Sequence, residues 1–178
     1  MKHEKYSKDF QTVNTLDSNG HLRTKTVYNG DYFVFEREEM GKTKARVLLA
    51  VFLFLIWAVW IFGLVPESTA MRTFYVVAPY VSISIGILFM TFGASDIVFS
   101  KGPFIREGAD HINNRFPTAA ICAFCLACVS ILTFAVLCIR DFKSLQTGDV
   151  LFGISNAVLA AFSFLFYKNS RHFRVVKK

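Results

Sequence analysis

Any chemistry in this chain would have to start from a few sulfur-bearing and polar side chains set in oily sequence. Cys122, Cys125 and Cys128 fall within CAFCLAC, and Cys138 follows in the same stretch. A CxxC spacing serves thiol–disulfide exchange, in which one thiolate attacks and its neighbour resolves the mixed disulfide. Cys122 and Cys125 are therefore the redox candidates. Their placement argues against that role, because the Lys and Arg distribution puts both towards the cytoplasmic end, with only Cys138 near the outside, and no second cysteine pair sits in an outer connection to receive electrons. A free cysteine is also a small apolar residue that suits a buried helix contact. Asp96 and Asn156 are the polar candidates inside apolar sequence. Asp96 is followed by Ile97, Val98 and Phe99, so its carboxylate is expected at a membrane boundary, paired with Lys101, Arg106 or Arg115, or else serving as a proton or cation site. Asn156 is expected to hydrogen-bond across helices at about 1 kcal/mol, with a solute path as the competing role.

Other catalytic signatures fail on spacing. Gly41-Lys42-Thr43 resembles the end of a phosphate loop, but Glu36 stands where that loop needs its earlier glycine. His3, His21, His111 and His172 show no ligand spacing, and no serine is placed beside a matching base. The expectation is no catalytic residue, no metal and no cofactor.

The elements that must hold these residues are four apolar runs, at about 47–64, 74–95, 118–139 and 150–167. None contains a charge inside its bounds. A helix needs about 20 apolar residues to cross the bilayer core, and a buried soluble helix would show a polar side. The 178 residues are 53% hydrophobic and 19% charged, against roughly a quarter charged in ordinary domains. A soluble enzyme, a secreted disulfide scaffold and a disordered chain are all excluded. The expected fold is an all-α membrane protein, a four-transmembrane-helix bundle over 46–167. Residues 1–45 form a small β-rich head with its linker, and 168–178 a basic tail.

Orientation follows from Lys and Arg. The head, the 100–117 connection and the tail hold 17 of them, whereas the other two connections hold 3. The positive-inside bias then puts both termini in the cytosol. The absence of an N-x-S/T sequon fits a bacterial plasma membrane. Trp57, Trp60, Tyr75 and Tyr80 are expected at the outer headgroup level. Asn19-Gly20 and Asn29-Gly30, each between strand-like segments, predict a three-stranded meander in the head. Ile105 to Phe116 is expected as a short interfacial helix after the Gly102-Pro103 break.

Small residues supply the clearest pattern. Ser82, Gly86 and Gly93 lie along the second run, Ala119, Ala123 and Ala127 along the third, and Gly153, Ala157 and Ala161 along the fourth, with Asn156, Ala160 and Ser163 beside the last stripe. Such stripes let helix backbones approach closely. The first run, bulky throughout, is expected to have the most lipid contact. In the tail, Lys168, Arg171, Arg174, Lys177 and Lys178 are expected to meet lipid headgroups, at about 1 kcal/mol per charge. Partners are then the bilayer and a membrane protein or a second copy, with no nucleic acid. The leading functional expectation is a non-enzymatic accessory, assembly or interaction component. A small-solute or ion transporter or channel subunit is the alternative, and a membrane thiol oxidoreductase the second alternative.

Overall fold

The structure is a computed structural model and describes residues 6–16, 22–35, 42–99, 103–170 and 173–178. Strands β1 (Phe10–Leu16), β2 (Leu22–Tyr28) and β3 (Phe33–Phe35) precede helix α1 (Lys42–Leu64). A one-turn helix α2 (Thr69–Arg72) leads into α3 (Phe74–Phe99). Helix α4 (Arg106–Asp110) runs through a π-helical turn, His111–Arg115, into α5 (Phe116–Arg140). Helix α6 (Thr147–Ser170) and strand β4 (Val175–Lys177) follow. Four helices, one at each of the expected runs, are long and apolar enough to cross a membrane. That is the property of a multi-pass membrane protein.

The four long helices touch as a closed ring: α1 on α3, α3 on α5, α5 on α6, and α6 on α1. Small residues set the closest approach. A Cβ built on Gly86 would stand 2.8 Å from the Ala123 Cβ, and one on Gly93 would stand 3.1 Å from the Phe116 ring. Gly153 bears the Phe134 ring in the same way, at 2.7 Å. Ala119, Ala123 and Ala127 of α5 are all buried. In α6 the stripe is displaced. Ala157 and Ala161 are exposed, whereas Asn156, Ala160 and Ser163 are buried. Gly153 alone of its stripe is in tight contact, so the packed face lies one residue round the helix.

Three of the aromatic residues named above, Trp57, Trp60 and Tyr80, join helices. Tyr80 is fully buried, and its hydroxyl donates to the Trp60 carbonyl at 2.8 Å while Trp60 Nε1–H donates to the Tyr80 carbonyl at 3.3 Å. Trp57 Nε1–H reaches Thr91 Oγ1 at 3.1 Å. These bonds tie α1 to α3 along an interface that has few small residues. Even so, α1 is the least buried of the four.

The extramembrane part departs most from expectation. β1 and β2 form an antiparallel hairpin with Phe10 opposite Tyr28 and Leu16 opposite Leu22; its Asn19-Gly20 turn lies outside the described residues. The predicted meander stops there. β3 leaves the hairpin and pairs antiparallel with β4, Phe33 opposite Lys177 and Phe35 opposite Val175. Its other edge exchanges two backbone hydrogen bonds with Phe104, at 2.8 and 2.9 Å. The expected basic tail therefore contains a strand, and Asn29-Gly30 closes no hairpin. The physical reason is coverage: Phe33 and Phe35 pack against the core that Phe104, Phe173 and Val175 extend, which a free meander would leave wet.

Nor does the 105–116 segment form a separate interfacial helix. It continues through the π turn into α5 as one helical run, Arg106–Arg140. Pro117 explains the wide turn, since its ring collides with the carbonyl four residues back and it donates no N–H. The i→i+5 ladder before it relieves both problems.

If close approach holds the ring together, Gly86→Val destabilises the protein by about 1–3 kcal/mol through overpacking. Ala157→Val, on the exposed side of α6, changes stability little. Thermal unfolding in one detergent, compared between the two variants, checks this.

Candidate functional site

Both described ends of the chain gather at the same end of the helices, where the polar side chains also concentrate. A cavity of about 230 Å3 opens there. Tyr6 and Phe33 line it from the head, and Arg106, Asp110, Asn113 and Asn114 from the helical run. The π turn determines which side chains arrive. Ala109 before the turn, Ile112 within it and Phe116 after it are buried, while Asp110, Asn113 and Asn114 line the cavity together with Ala109.

Each polar group is braced. Asp110 Oδ2 accepts from the Tyr6 hydroxyl at 2.6 Å, and its Oδ1 accepts from Asn114 Nδ2–H at 2.6 Å. Asn113 grips β4 twice: its Nδ2–H donates to the Val175 carbonyl at 2.8 Å, and its Oδ1 accepts the Val175 N–H at 3.0 Å. The Arg106 N–H donates to the Tyr28 hydroxyl at 3.1 Å, and that hydroxyl donates to the Asp31 carbonyl at 2.8 Å. This pair fixes the base of the hairpin on the start of α4. Lys177 to Asp31, at 2.8 Å, is exposed at both ends and adds little, whereas Arg106 to Asp9, at 3.8 Å, pairs an exposed guanidinium with a largely buried carboxylate whose Oδ2 has no hydrogen-bond partner. The arrangement joins head, connection and tail. It offers no nucleophile with a base, and among the described residues no group of three or more His, Cys, Asp or Glu is placed to hold a metal.

A second polar brace stands at the opposite end. Asp149 is buried, its Oδ1 accepting the Ala70 N–H at 2.8 Å and its Oδ2 the Gln146 N–H at 2.7 Å. Ser68 Oγ caps α2 by accepting the Met71 N–H at 3.1 Å. Gly148 lies so close to the Glu67 carbonyl that a side chain would collide with backbone. Together they pin the α1–α3 connection on the start of α6. Sequence reasoning missed Asp149, although a Gly-Asp pair immediately before an apolar run signals a helix start that can accept backbone N–H groups.

The candidates named from sequence are dispersed. Cys122 and Cys125 are exposed on the outside of α5, and all four cysteines are free. Asp96 lies in the last turn of α3, its side chain outside the described residues. Ser82 donates to the Ala78 carbonyl in its own helix at 2.8 Å. Asn156 is fully buried in α6, and its Nδ2–H donates to the Phe152 carbonyl at 3.1 Å rather than to another helix. Of the basic residues, Lys168, Arg174, Lys177 and Lys178 are exposed, and Arg171 lies outside the described residues. No family model, no curated protein and no solved structure matches the chain.

Asn113→Ala should free β4, because it leaves the nearly buried Val175 N–H and carbonyl without partners at about 1–3 kcal/mol. Hydrogen exchange checks it: amides of 175–177 and 33–35 lose protection by tenfold or more, while the middle of α3 stays protected.

Proposed function

We propose that this is a non-enzymatic, multi-pass membrane component that acts through interactions, with the end bearing both termini in the cytosol. The carrying observation is the β1–β2 hairpin. It is anchored at its base, yet Val13 and Val27, on one face, are each 42% exposed, and the residues of the other face described between them are exposed too. A two-stranded ribbon is marginal in water by itself, so a projecting one is fit to be covered by a partner. The Lys and Arg distribution supports the orientation. The exposed Lys168, Arg174, Lys177 and Lys178 supply attraction to anionic headgroups beside that surface.

Photocrosslinkers placed in cells at Val13 and Val27, and separately at Thr26 on the opposite face, test the reading. A discrete adduct from the Val13/Val27 face, abolished by Val13→Asp, is expected. Uniform absence of adducts, together with a partner-free monomer in mild detergent, overturns it. A cytosol-dependent fluorescent reporter at either terminus is expected to light, and silence at both ends overturns the orientation.

A second reading, a small-solute or ion transporter or channel subunit, draws on Asp96, Asn156 and the serines of α3 as the lining of a path. It requires flux in proteoliposomes that Asp96→Asn alters. Flux equal to that of empty liposomes removes it.

A further inference from the structure

An unpaired strand edge invites another strand, and the two small sheets of this chain meet that hazard differently. In the β3–β4 sheet, Phe104 takes the edge of β3. Asn113 takes the start of the β4 edge, its side chain holding both the N–H and the carbonyl of Val175. In the hairpin, β1 and β2 pair only with each other among the described residues. Strand β2 carries Arg23 and Lys25, and charge of that kind keeps an edge solitary. Strand β1, FQTVNTL, has no charge, no proline and no glycine.

The hydrogen-bonding parity of the hairpin shows which groups β1 leaves open. The Asn29 N–H donates to the Asp9 carbonyl at 2.8 Å, one step below the Phe10–Tyr28 pair. Bonded and non-bonded pairs alternate along an antiparallel ladder. Gln11, Val13 and Thr15 therefore bond to β2, while Thr12, Asn14 and Leu16 turn their N–H and carbonyl groups outward. The Phe10 carbonyl joins them, its N–H donating to the Ser7 carbonyl. Gln11, Thr12, Val13 and Asn14 are all exposed. This edge is self-complementary. Two antiparallel β1 strands overlap over their whole length only in the register centred on Val13. That register sets Phe10 against Leu16, Gln11 against Thr15 and Thr12 against Asn14, apolar on apolar and neutral polar on neutral polar. It also makes Thr12 and Asn14 a pair that exchanges both backbone bonds, as their outward groups require. Strand β2 has no such solution: its matching register puts Lys25 against Lys25, and like charges directly opposite are destabilising.

We propose that the partner at the hairpin is a second copy of this chain, joined edge to edge through β1 in an antiparallel pair with two-fold symmetry about Val13. This deepens the interaction role proposed above and rests on it. The product is a sheet of strand order β2–β1–β1–β2, which removes the marginality of a lone two-stranded ribbon. The two-fold pair uses up the open edge, so association through it closes at the dimer. Its axis runs normal to the sheet, so copies sharing one bilayer pair with their ribbons lying along the membrane surface.

Disulfide trapping in membranes of cells expressing the full chain, with the four native cysteines replaced by alanine, tests the pairing. Val13→Cys sets two thiols in a non-hydrogen-bonded pair with Cα atoms about 4.5 Å apart, within disulfide reach. Mild oxidation is expected to give a covalent dimer. Val27→Cys lies on the same face but three strand spacings from its counterpart, about 14 Å, and is expected to give at least tenfold less. Thr12→Pro removes an outward N–H that β2 does not use, a place where an edge strand tolerates proline. It is expected to lower the Val13→Cys dimer tenfold while the Val13 amide, bonded to β2, keeps its protection against hydrogen exchange. Equal trapping at Val13 and Val27 marks random collision and overturns the proposal, as does a dimer indifferent to Thr12→Pro. No dimer at Val13, with a photocrosslinked adduct there to a different protein, overturns the second copy and leaves the interaction role standing. Absence of both overturns both.

Discussion

A polar group inside a long apolar helix must find its partner within the protein, because hydrocarbon offers none. That constraint organises most of what is ordered in this chain. The indole N–H groups of Trp57 and Trp60 and the hydroxyl of Tyr80 cannot be left bare, so they become the bonds between α1 and α3. Arg46 Nε–H, near the start of α1, donates to the Ile97 carbonyl at 3.2 Å and extends the same contact towards the other end. Asp149 meets the rule by accepting two backbone N–H groups that a helix start and a loop would otherwise leave unpaired. Each such bond contributes only about 0.5–1.5 kcal/mol net, but losing one partner leaves the other stranded at a larger cost. Their main effect is therefore to fix which helix lies against which, and in what register.

Affinity between the helices has a different source. Lipid tails are as apolar as leucine, so burial alone does not favour helix against helix over helix against lipid. Dispersion at close range does, and Gly86 against Ala123 gives α3 and α5 that proximity. The bulky α1 has it at Gly63, which abuts Tyr80 of α3 and Ser155 of α6, and adds its tryptophan hydrogen bonds. The two devices overlap at α1: α3, α5 and α6 meet through small residues, and α1 is attached to them through Gly63, by polar ties and by rings such as Phe52 against Phe166.

The difference between what was legible and what was not follows the range of the interactions. The four helices show in composition alone, because an uncharged apolar run long enough to cross a bilayer rarely does anything else. The first hairpin shows because Asn19-Gly20 is a local signal with strands on both sides. Strand β3 is three residues long, and its partner β4 lies at the far end of the chain, so no window of sequence contains both. Trp57, Trp60 and Tyr80 were ambiguous in principle: an amphipathic ring suits a headgroup or a neighbouring helix equally well, and only their partners, the Thr91 hydroxyl and the Tyr80 and Trp60 carbonyls, show the helix contact. In α6 two small-residue stripes stood side by side, and the choice between them turned on how α5 was rotated. The π turn could have been anticipated. Pro117 directly follows a segment that reads as helix, and a proline there must disturb the ladder behind it.

That turn also links the parts of the molecule. One helical run carries Arg106, which receives the hairpin through Tyr28, Asp110, which receives Tyr6, Asn113, which holds β4, and then Ser130 deep among the other helices. Anything that pulls on the hairpin or on the C-terminal strand pulls on this run. Above the π turn it is locked by Phe116 and the alanine stripe against α3, and close-packed contacts resist sliding. Within and below the turn, hydrogen bonds through Asn113, Asp110 and Arg106 are added to the buried contacts of Ile112 and Ala109. The wide turn is thus the place where the contacts among the long helices give way to those that join the head and the C-terminal strand.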